Sequence, residues 1–271
     1  MVRDWTFIGE NGDVTRGTSM IPEQRREAIL EMARQNSDLK VEGIASRFGV
    51  SRETVRRDLA QLDARGLLRR VHGGAQPQTG AEAPFHKRLS ENADAKERIG
   101  RAAARLFQDG DTLMIDTGST TQALAGELAD RRLMIITNSV EVARAAHRPG
   151  SLARIHLVGG EYRGETGEML GSVALDQIGR YRADHAVLTV GAIDVQGGFM
   201  DFDVEEAMVA RAMIRQAEQV TVIADHSKFG RVAMAQVCPL DGVFRLVTDC
   251  LPDPVAAEAL RAAGVEIQVA K

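Results

Sequence analysis

The chain has 271 residues, of which 44% are hydrophobic, and it carries a formal net charge of −4. This length allows one large or two ordinary domains, and the hydrophobic share is enough for a sizeable core. No apolar run approaches the roughly 18 residues of a membrane span, and the first 19 residues lack the apolar stretch of a signal peptide. We therefore expect a cytoplasmic protein with no membrane partner.

Two kinds of site are disfavoured by the sequence. The chain has two cysteines, Cys238 and Cys250, with no histidine pair nearby, so we expect inert thiols rather than a disulfide framework or a metal site. It also has no Walker motif and no dinucleotide fingerprint, so we expect no cofactor.

The charge is distributed unevenly along the chain. Residues 20–75 carry 11 lysines and arginines against 8 aspartates and glutamates, whereas the chain as a whole is acidic. A modestly basic head on an acidic body indicates a DNA-reading domain attached to a domain with another task.

The N-terminal part begins with 19 residues in which we find no helical or strand period, so we expect a flexible extension, and Met20 could be the natural start. Pro22 favours a helix start there, and the apolar pattern continues to about Gln35. A second, short helix is expected to end at Gly49, a residue typical of a left-handed C-cap.

The stretch from Ser51 to Leu62 predicts a third helix suited to a DNA groove. Ser51 is a good N-cap residue, and Val55, Leu59 and Leu62 recur at spacings of four and three, which places them on one inward face. Four polar residues fall outside that face and could contact phosphates and base edges: Arg52, Thr54, Arg56 and Arg57. Helix, glycine turn and helix form the helix-turn-helix layout. Taken alone, the stretch could equally be an ordinary surface helix with solvated charges.

A small β-ribbon is expected next, over Leu67–Ala75. Its arginines, Arg69 and Arg70, could grip phosphate, and we group His72 with them as a DNA-binding candidate. We therefore assign residues 20–75 to a winged helix-turn-helix domain. Residues 76–84 contain two prolines and no period, which indicates a linker.

The body, residues 85–271, alternates strand-like and helix-like segments. Short apolar runs predict seven strands at 112–116, 133–137, 154–158, 186–190, 220–224, 246–248 and 265–269. Helical patterns lie between most of them, at 122–129, 140–146, 173–181, 205–217 and 254–262. Such alternation is typical of an α/β domain with a mostly parallel sheet covered by helices on both faces.

Ligands of open α/β sheets lie beyond the carboxyl ends of the strands. The strongest candidate there is the stretch Asp116–Thr121, because Gly118 permits a close turn and the following helix start can hold a phosphate. We weigh this against a capped helix start that binds nothing. The effector-binding candidates at the strand ends are Asp116, Gly118, Ser119, Thr120, Thr121, Asn138, Gly159, Gly160, Asp225 and Lys228.

At this point the sequence resembles a known family. The runs SRETVRRDL at 51–59 and GLLRRVHGGA at 66–75 are similar to the N-terminal signature of the DeoR family of bacterial transcription regulators. The body is similar too, at residues 116–121, 137–138, 159–160, 171 and 225–230.

The resemblance implies a repressor of a sugar or polyol catabolic operon, with two partners: double-stranded operator DNA and a phosphorylated sugar or polyol. It also implies a body of the sugar-phosphate isomerase type, like ribose-5-phosphate isomerase and glucosamine-6-phosphate deaminase, and we expect a homo-oligomer, either a dimer or a tetramer. Residues 202–203, Glu206 and 225–231 most resemble members that respond to glycerol 3-phosphate. One departure is Ala210, where many members have lysine, so the effector or its affinity could differ here.

An enzyme remains the alternative to a regulator without catalytic activity. Proton transfer between adjacent carbons needs a positioned carboxylate base. Asp116, Asp194 and Glu206 are the candidates, but the sequence does not assemble them into a base with an orienting partner.

Overall fold

The computed structural model describes residues 5–8, 14–17, 21–35, 39–64, 68–71, 73–77 and 82–271. The chain divides into two compact units, Met1–Ala81 and Glu82–Lys271. The helices and strands of the first unit are β1 (Trp5–Ile8), β2 (Val14–Gly17), α1 (Pro22–Gln35), β3 (Leu39–Lys40), α2 (Val41–Phe48), α3 (Arg52–Ala64), β4 (Leu68–Val71) and β5 (Gly74–Pro77).

Strands β1 and β2 pair in antiparallel fashion, Trp5 opposite Gly17 and Ile8 opposite Val14. These two strands lie within residues 1–19, where the sequence shows no strand period. Aromatic and β-branched residues on both sides of an Asn-Gly pair favour a hairpin, and they outweighed the lack of a long period.

The three helices of the first unit pack around the apolar face that the sequence predicts. Val55, Leu59 and Leu62 of α3 are each at most 1% exposed. The Ser51 hydroxyl accepts the backbone N–H of Thr54 at 3.1 Å, which confirms the predicted N-cap. Gly49 is left-handed (φ 62°) and ends α2, as predicted.

A buried ion pair, which no local sequence pattern indicates, joins α1 to α3. Arg25 Nε lies 2.6 Å from Asp58 Oδ2, and both side chains are at most 7% exposed. Asp58 thus faces inward, beside the apolar stripe, and α3 presents its arginines on the other side.

The wing is a three-stranded sheet in the order β3-β5-β4. Strand β5 extends to Pro77, and Glu82 belongs to the second unit, so the structure shortens the predicted linker 76–84 at both ends. His72 and the Arg69 side chain lie outside the described part of the wing, so their predicted DNA contacts stay predictions.

The second unit is built on seven strands: β6 (Thr112–Ile115), β7 (Met134–Thr137), β8 (Arg154–Leu157), β11 (Ala183–Leu188), β14 (Ala217–Ile223), β16 (Arg245–Thr248) and β17 (Glu266–Val269). They form one sheet in the order β17-β16-β14-β11-β6-β7-β8, and every neighbouring pair is parallel. All seven coincide with predicted strands to within a few residues, which confirms the parallel α/β fold.

Helices cover both faces of this sheet: α4 (Phe85–Ser90), α5 (Ala93–Ala104), α6 (Ser119–Leu128), α7 (Val140–Ala146), α8 (Gly171–Ile178), α9 (Val204–Ile214) and α10 (Pro254–Ala262). Successive strand residues point to opposite faces. Leu113 and Ile115 therefore pack into one buried cluster with α5, α6 and α7, and Met114 packs into another with α8 and α9.

Five shorter strands form two small sheets beside the main one: β9 (Glu161–Arg163), β10 (Glu168–Leu170), β12 (Ala192–Asp194), β13 (Gly198–Asp201) and β15 (Ala235–Cys238). Strands β9 and β10 form a hairpin, and β12, β13 and β15 form an antiparallel sheet. Among the described residues, no helix is long and apolar enough to span a bilayer.

The strand order reverses between β6 and β11. From β6 the chain proceeds through β7 to β8 on one side, and it then returns to β11 on the other side. Connections that leave adjacent strands in opposite directions open a crevice at their carboxyl ends, which is where doubly wound sheets bind ligands.

Two glycines on packed helices provide a matched test of this core. A Cβ at Gly100 of α5 would lie 2.8 Å from the Leu124 backbone nitrogen of α6, whereas a Cβ at Gly126 of α6 would meet nothing within 4 Å. We expect Gly100→Ala to lower the melting temperature, and Gly126→Ala to raise stability by about 0.5–1 kcal/mol through helix propensity. Thermal unfolding followed by circular dichroism measures both, and equal effects would contradict the close packing of α5 on α6.

Candidate functional site

The crevice between β6 and β11 is fixed by the segment that follows β6. Both carboxylate oxygens of Asp116 accept the backbone N–H of Thr189, at 3.1 and 3.0 Å, and the Thr189 hydroxyl donates to the Thr117 carbonyl at 3.2 Å. A Cβ on Gly118 would lie 2.4 Å from the Thr189 hydroxyl oxygen, so only glycine fits this close approach. These contacts bind the start of α6 to the end of β11.

The N-terminus of α6 opens into this crevice. Gly118 occupies its N-cap position and offers no side chain to the first turn, and the Thr121 hydroxyl donates to the Gly118 carbonyl at 3.0 Å. The first amides of a helix have no carbonyl partner within it, and they carry a partial positive charge. Ser119 and Thr120 also line the crevice, so amides and hydroxyls converge as the sequence predicts.

Two cations reach the crevice from distant parts of the chain. Lys228 lies at the end of a 3₁₀ helix, His226–Lys228, after β14, and Arg88 comes from α4. Both bind Glu82: Lys228 Nζ lies 2.7 Å from Oε1, and Arg88 Nη1 lies 2.8 Å from Oε2. The three side chains are only 13–16% exposed, so this is a largely desolvated charge cluster.

Three carboxylates share the same crevice, because oxygens of Glu82, Asp201 and Glu206 lie within 4.8 Å of one another. Burial, reinforced by the charge of Glu82, raises the pKa of Asp201 to about 7. Burial also raises the pKa of Glu206 to about 10, with Glu168, Asp201 and Glu82 adding repulsion. Burial likewise raises the pKa of Asp116 well above its usual range, despite the bond from Thr189. Glu206 is therefore neutral near pH 7, and Asp201 is close to its titration midpoint there.

Arg163 of β9 closes one side of this acidic cluster. Its guanidinium lies 2.8 Å from Asp203, 2.7 Å from Glu205 and 3.3 Å from Glu206. Asp203 also caps α9 by accepting the N–H groups of Glu205 and Glu206, which lie in the first turn of this helix.

The enclosed space is small. The cavity measures about 20 Å³, room for about one water molecule. Its walls are Glu82, Arg88, Thr117, Ser119, Thr120, Thr189, Val190, Gly191, Asp201, Glu206, Ile223, Ala224 and Lys228. A larger groove of about 720 Å³ runs between α7 and the edge strand β8, but it is open to solvent and contains none of the candidate residues.

The structure separates some candidates from this crevice. Asn138 donates to the Met169 carbonyl at 3.3 Å, and the Gly159 N–H donates to Gln177 at 2.8 Å, so both support neighbouring elements. Gly160 lies against the Leu170 carbonyl, which a Cβ would approach to 2.5 Å. These three residues follow β7 and β8, on the far side of β6 from β11, so their strand ends do not face the crevice.

Asp225 has a supporting position beneath Lys228. Its Oδ1 accepts from Asn92 at 2.9 Å and from the Ser227 N–H at 3.0 Å. Burial would raise its pKa, but the hydrogen bonds from Ser227 and the charge of Lys228 lower it overall. Asp225 thus holds the short helix that positions Lys228.

Sequence reasoning missed Glu82, Arg88, Asp201 and Thr189 as members of the site. Glu82 was assigned to the linker, and Arg88 lies in a helix that has no strand before it. The polar residues that follow β11 could have indicated the site, because β11 is the strand next to β6. The sequence alone does not show that these two strands are neighbours. Glu206 was noted only in the family resemblance and as a candidate base.

Two groups among the described residues have the donor atoms for a metal ion: Glu82 with Asp201 and Glu206, and His226 with Asp249 and Cys250. The first lies against Arg88 and Lys228, whose charges oppose a cation. In the second, His226 Nδ1 already lies 2.7 Å from Asp249 Oδ2. Cys238 is buried, and burial raises its pKa to about 12, consistent with an inert thiol.

In the first unit, α3 exposes its arginines. The side chains of Arg52, Arg56 and Arg57 are 58–79% exposed and make only loose ion pairs of 3.5–3.8 Å with Glu42 and Glu53. Arg70 of the wing is exposed as well. Such mobile surface pairs contribute little stability, so these cations can be redirected to another anion.

Asp201 supplies a pH test of the crevice. A carboxyl whose pKa is raised on folding destabilises the folded state as pH rises from about 4 to about 7, and the full penalty remains above pH 7. We expect Asp201→Asn to raise the melting temperature by roughly 3 °C more at pH 8 than at pH 5. Differential scanning calorimetry at both pH values checks this, with Asp194→Asn in the β12–β13 turn as the control. If Asp201→Asn raises the melting temperature at pH 8 by no more than it does at pH 5, burial of the Asp201 carboxyl does not raise its pKa.

Each of the two units matches a known protein domain family. The model of the DeoR C terminal sensor domain matches residues 91–250, and that of the DeoR-like helix-turn-helix domain matches residues 25–79. The glycerol-3-phosphate regulon repressor of Escherichia coli (strain K12) is 37% identical over 235 residues, which cover 86% of this chain and 92% of the relative. The HTH-type transcriptional repressor GlcR of Bacillus subtilis (strain 168) is 34% identical over 252 residues, covering 92% and 97%.

Among solved structures, ribose 5-phosphate isomerase A from Methanocaldococcus jannaschii aligns over 51% of this chain and 55% of its own, with a TM-score of 0.38 and 18% identity. That TM-score supports no conclusion about activity. The domain matches and the relatives are sufficient, because they cover both units and nearly the full length of the curated proteins. The chain belongs to the DeoR family.

Proposed function

We propose that this protein is a DNA-binding transcriptional repressor of a sugar or polyol catabolic operon, controlled by a phosphorylated sugar or polyol such as glycerol 3-phosphate. The observation that carries the proposal is the joint match to the helix-turn-helix and sensor domains, together with a relative that represses the glycerol-3-phosphate regulon. The same family match favours a regulator without catalytic activity.

The geometry of α3 supports DNA binding. Its inner face is apolar and fully buried, and its exposed arginines lie on the opposite side with partners that hold them weakly. The Arg25–Asp58 pair fixes α3 against α1, so the arginine face is presented by a rigid element. In this reading Ser51, Arg52, Thr54, Arg56 and Arg57 contact the duplex, and Arg69, Arg70 and His72 of the wing brace its backbone.

The crevice supports a phosphorylated ligand. Arg88, Lys228 and the N-terminus of α6 supply positive charge, and Ser119 and Thr120 add hydroxyl groups. Asp201 and Glu206, as neutral or ionised carboxyls, can exchange hydrogen bonds with the hydroxyl groups of a polyol. A ligand with a phosphate at one end and hydroxyl groups at the other would match the positively charged part of the crevice and its carboxyl groups.

Regulation then requires coupling between ligand and DNA. A ligand changes operator affinity only if it binds more tightly to one of two arrangements of the protein. We infer a dimer or tetramer in which the ligand alters the spacing of two helix-turn-helix units, because paired half-sites are read by paired heads.

Operator binding should depend steeply on salt. Each phosphate contact adds about 0.9 to the slope of log K against log salt concentration, so Arg56→Ala should weaken binding and reduce the slope by about one. Fluorescence anisotropy with operator DNA from 50 to 200 mM salt measures this, with Arg101→Ala of α5 as the matched control. A wild-type slope near zero would exclude several arginine–phosphate contacts.

Ligand binding should be separable from DNA binding. Thr120→Val removes one crevice hydroxyl without changing side-chain shape, and the loss of about 1 kcal/mol should weaken a phosphorylated ligand roughly fivefold. Operator affinity without ligand should stay at the wild-type value. A thermal-shift panel of sugar and polyol phosphates finds the ligand, and titration calorimetry then compares the variants, with buried Thr221→Val as the control. Loss of DNA binding in folded Thr120→Val would contradict this separation.

A sugar-phosphate isomerase or deaminase is the second candidate. Of the three candidate bases, Asp116 and Glu206 lie at the crevice, whereas Asp194 accepts the N–H groups of Gln196 and Gly197 in a turn. Both oxygens of the Asp116 carboxylate accept from Thr189, and Glu206 is held by Arg163, so both candidates already make structural contacts. Product analysis of the same ligand incubations tests this, since turnover would favour the enzyme.

A further inference from the structure

Glu82 occupies the position of an anionic ligand. Each of its carboxylate oxygens binds a different cation, Oε1 to Lys228 and Oε2 to Arg88, at 2.7 and 2.8 Å. A carboxylate held by two cations in a nearly desolvated crevice has the environment that a phosphate group would seek there.

The crevice has no room for a ligand while Glu82 is in place. The cavity of about 20 Å³ admits one water molecule, and the nearer donors of both cations are already used. Asp201 lies in β13 and Glu206 in α9, so regular secondary structure fixes their backbones. Glu82 precedes α4 in a segment without regular structure, and it is therefore the lining carboxylate best able to leave.

We propose that Glu82 fills the anion subsite of the ligand-free protein, and that the phosphate of an incoming ligand displaces it from Arg88 and Lys228. This inference rests on the proposed function, because it takes the crevice to be the ligand site. What is new beyond that function is an exchange in which one of the protein's own carboxylates competes with the ligand.

A phosphate can satisfy more of the site than Glu82 does. A carboxylate offers two oxygens and one charge, whereas a phosphate monoester offers three oxygens and a charge of about −1.5 to −2. Arg88 Nε and Thr117 Oγ1 are buried without a hydrogen-bond partner among the described residues, and both side chains line the crevice. A third phosphate oxygen could reach one of these donors, and the amides at the start of α6 add further stabilisation.

The position of Glu82 in the chain gives the exchange a consequence. Glu82 is the first residue of the second unit and directly follows the stretch that leads from the DNA-binding unit. A ligand that displaces it therefore releases the first residue of the second unit from Arg88 and Lys228. Binding and release of Glu82 are two discrete states, as an allosteric element requires.

The test compares full-length wild type, Glu82→Gln and the control Glu97→Gln, which removes one exposed carboxylate of α5. Titration calorimetry with inorganic phosphate and with glycerol 3-phosphate should give at least about tenfold tighter binding for Glu82→Gln, since the internal competitor is gone. The control should match wild type. Binding to Glu82→Gln that is unchanged or weaker would overturn the exchange and leave the ligand site intact. Absence of binding by both wild type and Glu82→Gln would overturn the proposed ligand as well.

A second measurement needs no variant. A glutamate-specific protease should cleave wild type slowly between Glu82 and Ala83, because the Glu82 side chain is held by two cations. Saturating glycerol 3-phosphate should accelerate that cleavage several-fold, and mass spectrometry of the fragments 1–82 and 83–271 reports it. Ligand binding that leaves the site protected would show that Glu82 stays in place and would overturn the proposal.

Discussion

The bond between the Asp116 carboxylate and the Thr189 N–H holds together the part of the molecule on which the site depends. It joins the ends of β6 and β11, the two strands between which the strand order reverses. Gly118 can approach Thr189 only because it lacks a side chain, and that approach sets the direction of α6. The helix N-terminus, the crevice and its hydroxyl groups all follow from this one junction.

The electrostatics of the crevice are unusual because carboxylates and cations are buried together. The charge of the Glu82 carboxylate is balanced by Arg88 and Lys228. Burial instead raises the pKa values of Asp201 and Glu206. Desolvation makes each buried charge costly unless it has a partner. Arg88 and Lys228 each have an anionic partner in this structure, and that partner is Glu82.

The first unit also contains a buried ion pair, but the arginines of α3 are exposed. Its helix α3 must bury one face and offer cations on the other, and the buried Arg25–Asp58 pair helps to fix that orientation. The exposed arginines have only solvent-screened partners, so their charge remains available to a polyanion. The exposed arginines of α3 therefore lie where another anion can reach them, whereas Arg88 and Lys228 of the second unit are occupied by Glu82.

The sequence by itself determined the strands of the main sheet and the family, but not the five shorter strands or the helices α4 and α5. Seven apolar runs became the seven parallel strands, and Val55, Leu59 and Leu62 became the buried face of α3, because the period of apolar residues reports which side of an element is covered. The stretch after β6 was also singled out as the candidate phosphate site, since a glycine between a strand and a helix start is a local signal. The hairpin at the N-terminus was missed because its strands are too short to show a period.

Only the tertiary structure decided which strand ends meet. Asn138, Gly159 and Gly160 follow strands on the far side of β6, and they became supporting contacts rather than crevice residues. Glu82, Arg88 and Asp201 also line the crevice, although no local sequence pattern in their segments indicates this. The physical reason is that local patterns record burial, whereas convergence depends on strand order and helix packing, which arise from contacts between residues far apart in the chain.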